Sequence, residues 1–229
     1  MKRGAPQERG HDREGRFIAL FVLTLALHVA LPIFRDVGWL NLIAGVGFVG
    51  VVGVAGWITL ERPPLRVAYL ALVLVSALST AGLIASEDSP SWRGYWLVFH
   101  AALIALTAVV VIRWTIRARQ VTVDTIFAAL SGYYLLGFAW ALIYAIADIA
   151  LPGSFNVALV DGVRLDRALY FSFVTLTTLG FGDTTPTHPL TQALVGMQAL
   201  IGQIYLVVLV ARLVATQTNT SRESGARGA

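Results

Sequence analysis

The chain has 229 residues, of which 57% are hydrophobic and 13% charged, with a mean hydropathy of +0.73. Soluble domains contain about 45–50% apolar and about 25% charged residues, so this composition excludes a water-soluble monomer. The net charge of +4 would favour a nucleic-acid partner in a soluble protein, but a membrane protein acquires the same balance from a basic cytoplasmic side. Cysteine is absent, which excludes disulfides, thiolate metal sites and a cysteine nucleophile.

Long apolar runs predict an all-α membrane protein with six spans, because one crossing needs about 20 apolar residues. The first run is longer than the apolar core of a signal peptide, and Pro32 near its end and Arg35 after it stand where a cleavage site would need small residues. The predicted spans, in chain order, are Phe17–Phe34, Trp39–Leu60, Val67–Ser86, Tyr95–Ile112, Ile126–Leu151 and Leu190–Val214.

The basic residues predict the orientation of these spans. With a cytoplasmic N-terminus, thirteen of the seventeen Lys and Arg residues fall on the inner side. This asymmetry is typical of the positive-inside rule, so both termini are expected to be cytoplasmic and no nucleic-acid partner is expected. The outer side holds Arg35, Arg93, Arg164 and Arg167; the inner side holds Lys2, Arg3, Arg9, Arg13, Arg16, Arg62, Arg66, Arg113, Arg117, Arg119, Arg212, Arg222 and Arg227.

The residue pattern between the fifth and sixth spans indicates ordered structure rather than a short polar linker. Asp161-Gly162 lies between two short apolar runs, which is a hairpin signal. Asp166 is a predicted N-cap for a short helix over Arg167–Thr177, and a turn over Leu179–Thr187 follows. A segment that enters the membrane and leaves it on the same side forms a re-entrant loop. Non-helical backbone at that depth must be surrounded by protein or lie beside water.

The residues from Thr175 to Asp183 read Thr-Leu-Thr-Thr-Leu-Gly-Phe-Gly-Asp. They resemble the pore signature of potassium channels, whose filter strand is Thr-Val-Gly-Tyr-Gly. The version with phenylalanine in place of tyrosine is similar to filters of the two-pore-domain and bacterial potassium channels. The matching residues are Thr178, Leu179, Gly180, Phe181 and Gly182.

This resemblance implies a potassium-selective channel in which four copies of one strand surround the ion with carbonyl oxygens. K⁺ is expected at Thr178, Leu179, Gly180 and Phe181, and Gly180 and Gly182 allow the positive φ values of such a strand. The expected assembly is a homotetramer in the lipid bilayer, without enzymatic activity and without a cofactor other than the transported K⁺. A non-selective cation channel and a non-conducting channel subunit are the alternatives in the same class.

A rival interpretation comes from another class of protein. Gly180-Phe-Gly-Asp183 also matches the Gly-x-Gly-Asp element of intramembrane aspartyl proteases, for which Asp148 is the candidate second aspartate. Two such carboxylates would share a proton. Two observations count against this alternative. The Tyr-Asp motif of those enzymes is missing, because Asp148 follows Ala147, and the sequence contains no Pro-Ala-Leu motif.

Three residues beside the filter are predicted to support it: Thr177, Asp183 and Tyr170. Tyr170 and Phe171 stand where voltage-gated relatives carry two tryptophans, and Phe181 has no hydroxyl to anchor the filter from behind. Sequence leaves two roles open for Tyr170, a hydrogen bond to Asp183 or simple aromatic packing.

The sixth span contains Gly202, 20 residues after Gly182, which is about where potassium-channel inner helices carry a hinge glycine. We therefore predict a gating hinge at Gly202, with close helix packing as the alternative, and a packing role for Gly196. Gln198 and Gln203 are expected to face a cavity or another helix.

The first four spans offer no voltage sensor, because the fourth holds His100 as its one internal ionisable residue. In the second span, Gly45-Val-Gly47-Phe-Val-Gly50 fits a dinucleotide-binding fingerprint, but the apolar surroundings favour helix packing.

The predicted organisation is a cytoplasmic segment (1–16), a four-helix region (17–119), a pore domain (120–214) and a disordered cytoplasmic tail (215–229). Arginine outnumbers lysine sixteen to one, which favours a GC-rich bacterium and its inner membrane.

Overall fold

The computed structural model describes residues 15–33, 38–60, 62–85, 89–118, 121–161 and 164–227. These ranges contain helices and no strand. Residues 1–14 of the predicted N-terminal segment lie outside them. The helices of the described ranges are α1 (Arg16–Ile33), α2 (Gly38–Thr59), α3 (Pro63–Ala85), α4 (Pro90–Arg117), α5 (Val123–Ala150), α6 (Asp166–Leu176) and α7 (Pro189–Arg227).

Four helical segments within the described ranges are long and apolar enough to cross a membrane: Pro63–Leu83, Ser91–Arg117, Val123–Ala150 and Pro189–Arg212. The first two helices contain shorter apolar stretches, Phe17–Ala30 and Gly47–Trp57. The protein is therefore a multi-pass membrane protein. α1 to α5 and α7 occupy the positions of the six predicted spans, and a full count of six crossings stays a prediction.

Local chemistry determines where α4 and α5 begin. The Ser89 side chain accepts a hydrogen bond from the Trp92 N–H, and Pro90 occupies the start of α4, where no N–H partner is needed. Thr122 and Thr125 form a reciprocal capping box at the start of α5. These caps satisfy N–H groups that a helix start leaves unpaired.

The centre of the fold is α5, which packs against α1, α4 and α6. Ala128, Leu135, Ala141 and Tyr144 of this helix are fully buried. By contrast, only 11% of the most apolar stretch of α7 is buried within the chain, whereas 61% of the most apolar stretch of α5 is buried. An apolar helix this exposed lies in lipid or against another subunit.

The structure differs from two local predictions made for the residues before the filter. Leu165, not Asp166, is the N-cap of α6, and no side-chain hydrogen bond caps this helix. Asp166 instead lies in the first turn, where a carboxylate is favoured by the positive end of the helix dipole. Residues 157–160 form no strand, and an isolated bridge joins Asp161 to Arg164. Gly162 of the predicted hairpin turn lies outside the described residues.

The last helix continues beyond the predicted end of the span at Val214. α7 is helical through Arg227, which includes most of the stretch predicted as a disordered tail. Extending an existing helix requires no new nucleation, so polar residues can prolong it at little cost.

Candidate functional site

The backbone alternates in the segment that follows α6. Thr178, Gly180 and Gly182 have φ values of 58°, 55° and 79°, whereas Leu179 and Phe181 between them have negative φ. Among the residues that the structure describes, Thr178 is the one non-glycine residue with positive φ. A β-branched residue adopts this conformation under strain, and such strain concentrates at functional sites. We call residues 178–182 the filter segment.

Alternating right-handed and left-handed residues turn the N–H groups of a strand to one side and the carbonyl groups to the other. The N–H groups of Leu179 and Gly180 donate to the Val174 carbonyl of α6, with N···O distances of 2.9 and 3.4 Å. Within the described ranges, no donor reaches the carbonyl oxygens of Thr178, Leu179, Gly180 or Phe181. The carbonyl oxygens of the filter segment therefore have no hydrogen-bond donor in the described chain, and an alternating backbone directs them to the side opposite to the N–H groups.

The C-terminal end of α6 lies beside the start of the filter segment. The Thr177 hydroxyl donates to the Phe173 carbonyl at 2.7 Å, and the Tyr133 hydroxyl of α5 donates to the Leu176 carbonyl at 3.0 Å. The Phe173 carbonyl also accepts the Thr177 N–H at 3.0 Å, whereas the Tyr133 hydroxyl satisfies a Leu176 carbonyl that the helix end leaves unpaired. The negative end of the helix dipole adjoins the filter segment, which favours a cation there.

Tyr170 and Asp183 meet at the C-terminal end of the filter segment. The Tyr170 hydroxyl donates to Oδ2 of Asp183 at 2.8 Å. The Tyr170 ring also lies parallel to the Phe181 ring, with centroids 6.4 Å apart and an interplanar angle of 5°. Both roles that the sequence left open for Tyr170 are thus present. The bond to the carboxylate raises the pKa of Tyr170, so its hydroxyl remains a donor at neutral pH.

The loop before α6 forms hydrogen bonds with the residues that follow the filter segment, and the sequence did not predict these contacts. Nδ2 of Asn156 donates to the Asp183 carbonyl at 3.0 Å, and the Thr185 N–H donates to Oδ1 of Asn156 at 2.8 Å. The Thr187 N–H donates to the Ser154 carbonyl at 2.9 Å. Asn156 and Asp183 are 27 residues apart, and Asn156 belongs to no motif, so the sequence carries no signal of this contact.

A buried polar network joins α5, α6 and α7. Gln198 is 0% exposed; its Nε2 donates to the Ser172 carbonyl at 3.0 Å and to the Ser172 hydroxyl oxygen at 2.8 Å. Its Oε1 accepts from the Tyr144 hydroxyl at 2.5 Å, and the Ser172 hydroxyl donates to the Gly137 carbonyl at 2.7 Å. Of the two locations predicted for Gln198, the structure shows a helix contact rather than a cavity.

Gly202 lies against the C-terminal end of α6. A Cβ built at Gly202 would be 2.9 Å from both the carbonyl oxygen and Cδ1 of Leu176. A Cβ at Gly196 would meet nothing within 4 Å in the same chain. Close packing, the alternative role predicted for Gly202, is therefore present, while the hinge stays a prediction.

The two aspartates of the protease interpretation have separate partners. Oδ2 of Asp148 accepts the N–H groups of Leu159 and Val160 at 2.8 and 3.2 Å. Asp183 accepts from Tyr170. In the described part of the chain, no hydrogen bond joins Asp148 to Asp183, as a proton-sharing dyad would require.

Residues 120–219 match the model of a protein family described as ion channel. The matched stretch contains α5, α6, the filter segment and most of α7. No significant match was found among the curated proteins or among the solved structures. The family match and the apolar helices together indicate an ion channel in a membrane, and neither supports proteolysis.

Proposed function

We propose that this protein is a potassium-selective channel in which K⁺ passes along the filter segments of four identical subunits. The observation that carries the proposal is the alternation of φ at Thr178, Gly180 and Gly182, which leaves carbonyl oxygens unpaired on one side. Rings of such oxygens replace the hydration shell of K⁺ in selectivity filters. K⁺ would bind at Thr178, Leu179, Gly180 and Phe181, and the passive flow needs no cofactor and no enzymatic step.

Four copies are proposed because one filter segment offers oxygens from a single side. Leu179 and Phe181 are 58% and 63% exposed in the single chain. Neighbouring subunits of a tetramer would cover these two side chains. α7 likewise carries an exposed apolar surface, and large surfaces of this kind mark interfaces or lipid contacts. Its exposed side chains include Met197, Leu200, Ile204, Val207, Val208 and Val210.

The assembly is tested by measuring mass in detergent. A homotetramer of the 24.7 kDa chain is expected as the main species. A monomer or dimer that is the one stable species and still conducts would contradict the four-fold pore.

The proposed orientation places both termini in the cytoplasm of a bacterial cell, with the channel in the inner membrane. The distribution of basic residues supports it, since thirteen of seventeen fall on the proposed inner side. Protease protection of tags at the two termini in inverted inner-membrane vesicles tests it, and both tags should be accessible.

Ion flux from liposomes that contain the purified protein tests the function. A K⁺ flux much larger than the Na⁺ flux and blocked by Ba²⁺ is expected. Equal fluxes of the two ions would identify a non-selective cation channel. Absence of flux in correctly assembled protein would identify a non-conducting subunit.

The same preparation separates the channel from the protease. No cleavage of a membrane-embedded peptide is expected, because Asp148 and Asp183 have different partners. Cleavage that disappears in Asp183→Asn would instead assign an intramembrane protease.

A further inference from the structure

Asn156, in the loop between α5 and α6, makes three hydrogen bonds to residues that follow the filter segment. Its backbone N–H donates to the Thr185 carbonyl at 3.0 Å, and its Oδ1 accepts the Thr185 N–H at 2.8 Å. Its Nδ2 donates to the Asp183 carbonyl at 3.0 Å. Asn156 therefore holds the residue that directly follows Gly182 and the residue two positions further on.

The loop that carries Asn156 is anchored to two helices. Phe155 is 5% exposed, and its ring packs against those of Tyr144 in α5 and Phe171 in α6, at centroid distances of 6.0 and 5.4 Å. Asn156 thus connects the end of the filter segment to a rigid part of the fold.

Asp183 is restrained from two directions. Tyr170 binds its carboxylate at 2.8 Å and Asn156 binds its carbonyl at 3.0 Å. A bond to the carboxylate leaves the backbone free to reorient, because the side chain can rotate about its own bonds, whereas the bond to the carbonyl fixes the peptide between Asp183 and Thr184. Gly182, with φ of +79°, accepts either sign of φ with ease, so its conformation depends on restraint from outside.

We propose that Asn156 is a positioning residue that keeps the C-terminal end of the filter segment in its conducting geometry. This inference rests on the proposed function. An amide supplies a donor for Asp183 and an acceptor for Thr185 from one short side chain. Aspartate would keep the acceptor but place a carboxylate oxygen opposite the Asp183 carbonyl. Without the restraint on Asp183, Gly182 is free to change its conformation, and the Phe181 carbonyl that precedes it leaves the ion path.

The experiment compares Asn156→Ala and Asn156→Asp with the control Gln192→Ala in the reconstituted full chain. Gln192 also binds the loop after the filter segment, through the Pro186 carbonyl at 3.3 Å, but it reaches neither Asp183 nor Thr185. Asn156→Ala, which loses both side-chain hydrogen bonds, should lower the ratio of K⁺ to Na⁺ flux about tenfold. Asn156→Asp, which loses the bond to the Asp183 carbonyl and keeps the acceptor for Thr185, should also lower this ratio. The control should keep the wild-type ratio, and all variants should keep the wild-type assembly mass.

A flux ratio that is unchanged in both Asn156 variants of a selective channel overturns the inference and leaves the proposed function intact. If the wild type fails to discriminate K⁺ from Na⁺, the proposed function fails, and amide hydrogen exchange over residues 180–185 decides the inference. Exchange about tenfold faster in Asn156→Ala than in Gln192→Ala supports the restraint. Equal exchange in the two variants rejects it.

Discussion

Gly180 has a φ of +55°, and a Cβ built there would meet nothing within 4 Å in the same chain. The cost of a side chain therefore arises from the backbone, since the left-handed region costs an L-residue roughly 1–2 kcal/mol. Gly180→Ala should rotate this residue out of the alternation and abolish potassium selectivity or conduction in the liposome flux assay.

Gly15→Ala is the matched control for this substitution. Gly15 also has a positive φ, +95°, with open space around it, but it lies at the start of α1, outside the filter segment. The control should lose stability by a similar amount and keep its ion selectivity. Wild-type conduction in Gly180→Ala would refute the assignment of the filter.

Gln198 carries the second prediction at the residue scale. Gln198→Leu removes the bonds to Ser172 and Tyr144 and leaves both groups buried without that partner. The expected loss of unfolding free energy is about 1–2 kcal/mol, because hydrogen bonds between membrane helices contribute modestly. Denaturation of the detergent-solubilised protein measures it. Gln203→Leu, at an exposed position of the same helix, should change stability by no more than about 0.5 kcal/mol; equal stability of the two variants would contradict the network.

At the scale of the element, the contact between α6 and α7 depends on Gly202. An alanine Cβ 2.9 Å from the Leu176 carbonyl oxygen must push the helices apart, and overpacking of this kind costs about 1–3 kcal/mol. Gly202→Ala should therefore destabilise the protein in the same denaturation assay. Gly196→Ala should be neutral or stabilising by up to about 1 kcal/mol, because alanine is the better helix former and the position is open. If Gly202→Ala alters the opening of the channel with unchanged stability, the glycine acts as a hinge and not through packing.

The helices and the filter segment could be predicted from sequence because each depends on local information. Apolar run lengths predict the positions of α1 to α5 and α7, and the two filter glycines predict positive φ where the structure has it. Thr178 could not be predicted in this way, since β-branched residues avoid the left-handed region. Its conformation belongs to a Schellman motif that ends α6, in which the Thr178 N–H donates to the Thr175 carbonyl at 3.0 Å and the Leu179 N–H donates to the Val174 carbonyl at 2.9 Å.

The supports of the filter segment depend on pairs that no local pattern encodes. Ser172 and Gln198 are 26 residues apart, and Asn156 and Asp183 are 27 apart. A polar residue in an apolar helix predicts that a partner exists, which holds for Gln198, but not which residue it is. Asn156 lies in a loop of ordinary composition and gave no such signal.

At the scale of the whole molecule, the first four helices differ from a voltage sensor in where their charge lies. α4 carries Arg93 near one end and Arg113 and Arg117 near the other, with His100 buried between them. Nδ1 of His100 lies 2.8 Å from the Trp96 carbonyl, so its polar group is satisfied within the helix. No arginine lies in the central turns of α4, where the field across the membrane could move it.

Voltage dependence is therefore expected to be shallow. Moving one elementary charge through the membrane is worth about 2.3 kcal/mol per 100 mV, and steep gating moves several charges in each subunit. The proposed outer face instead carries Asp36, Glu87, Asp88, Asp161, Asp166 and Asp183 in the sequence. This acidity should concentrate cations near the pore mouth and be screened by salt. The remaining voltage dependence should therefore arise from ions entering the filter and should change with external K⁺.

Conductance–voltage curves in planar bilayers at two K⁺ concentrations measure this voltage dependence. A steep curve that corresponds to several gating charges and does not move with K⁺ would mean that the first four helices sense voltage.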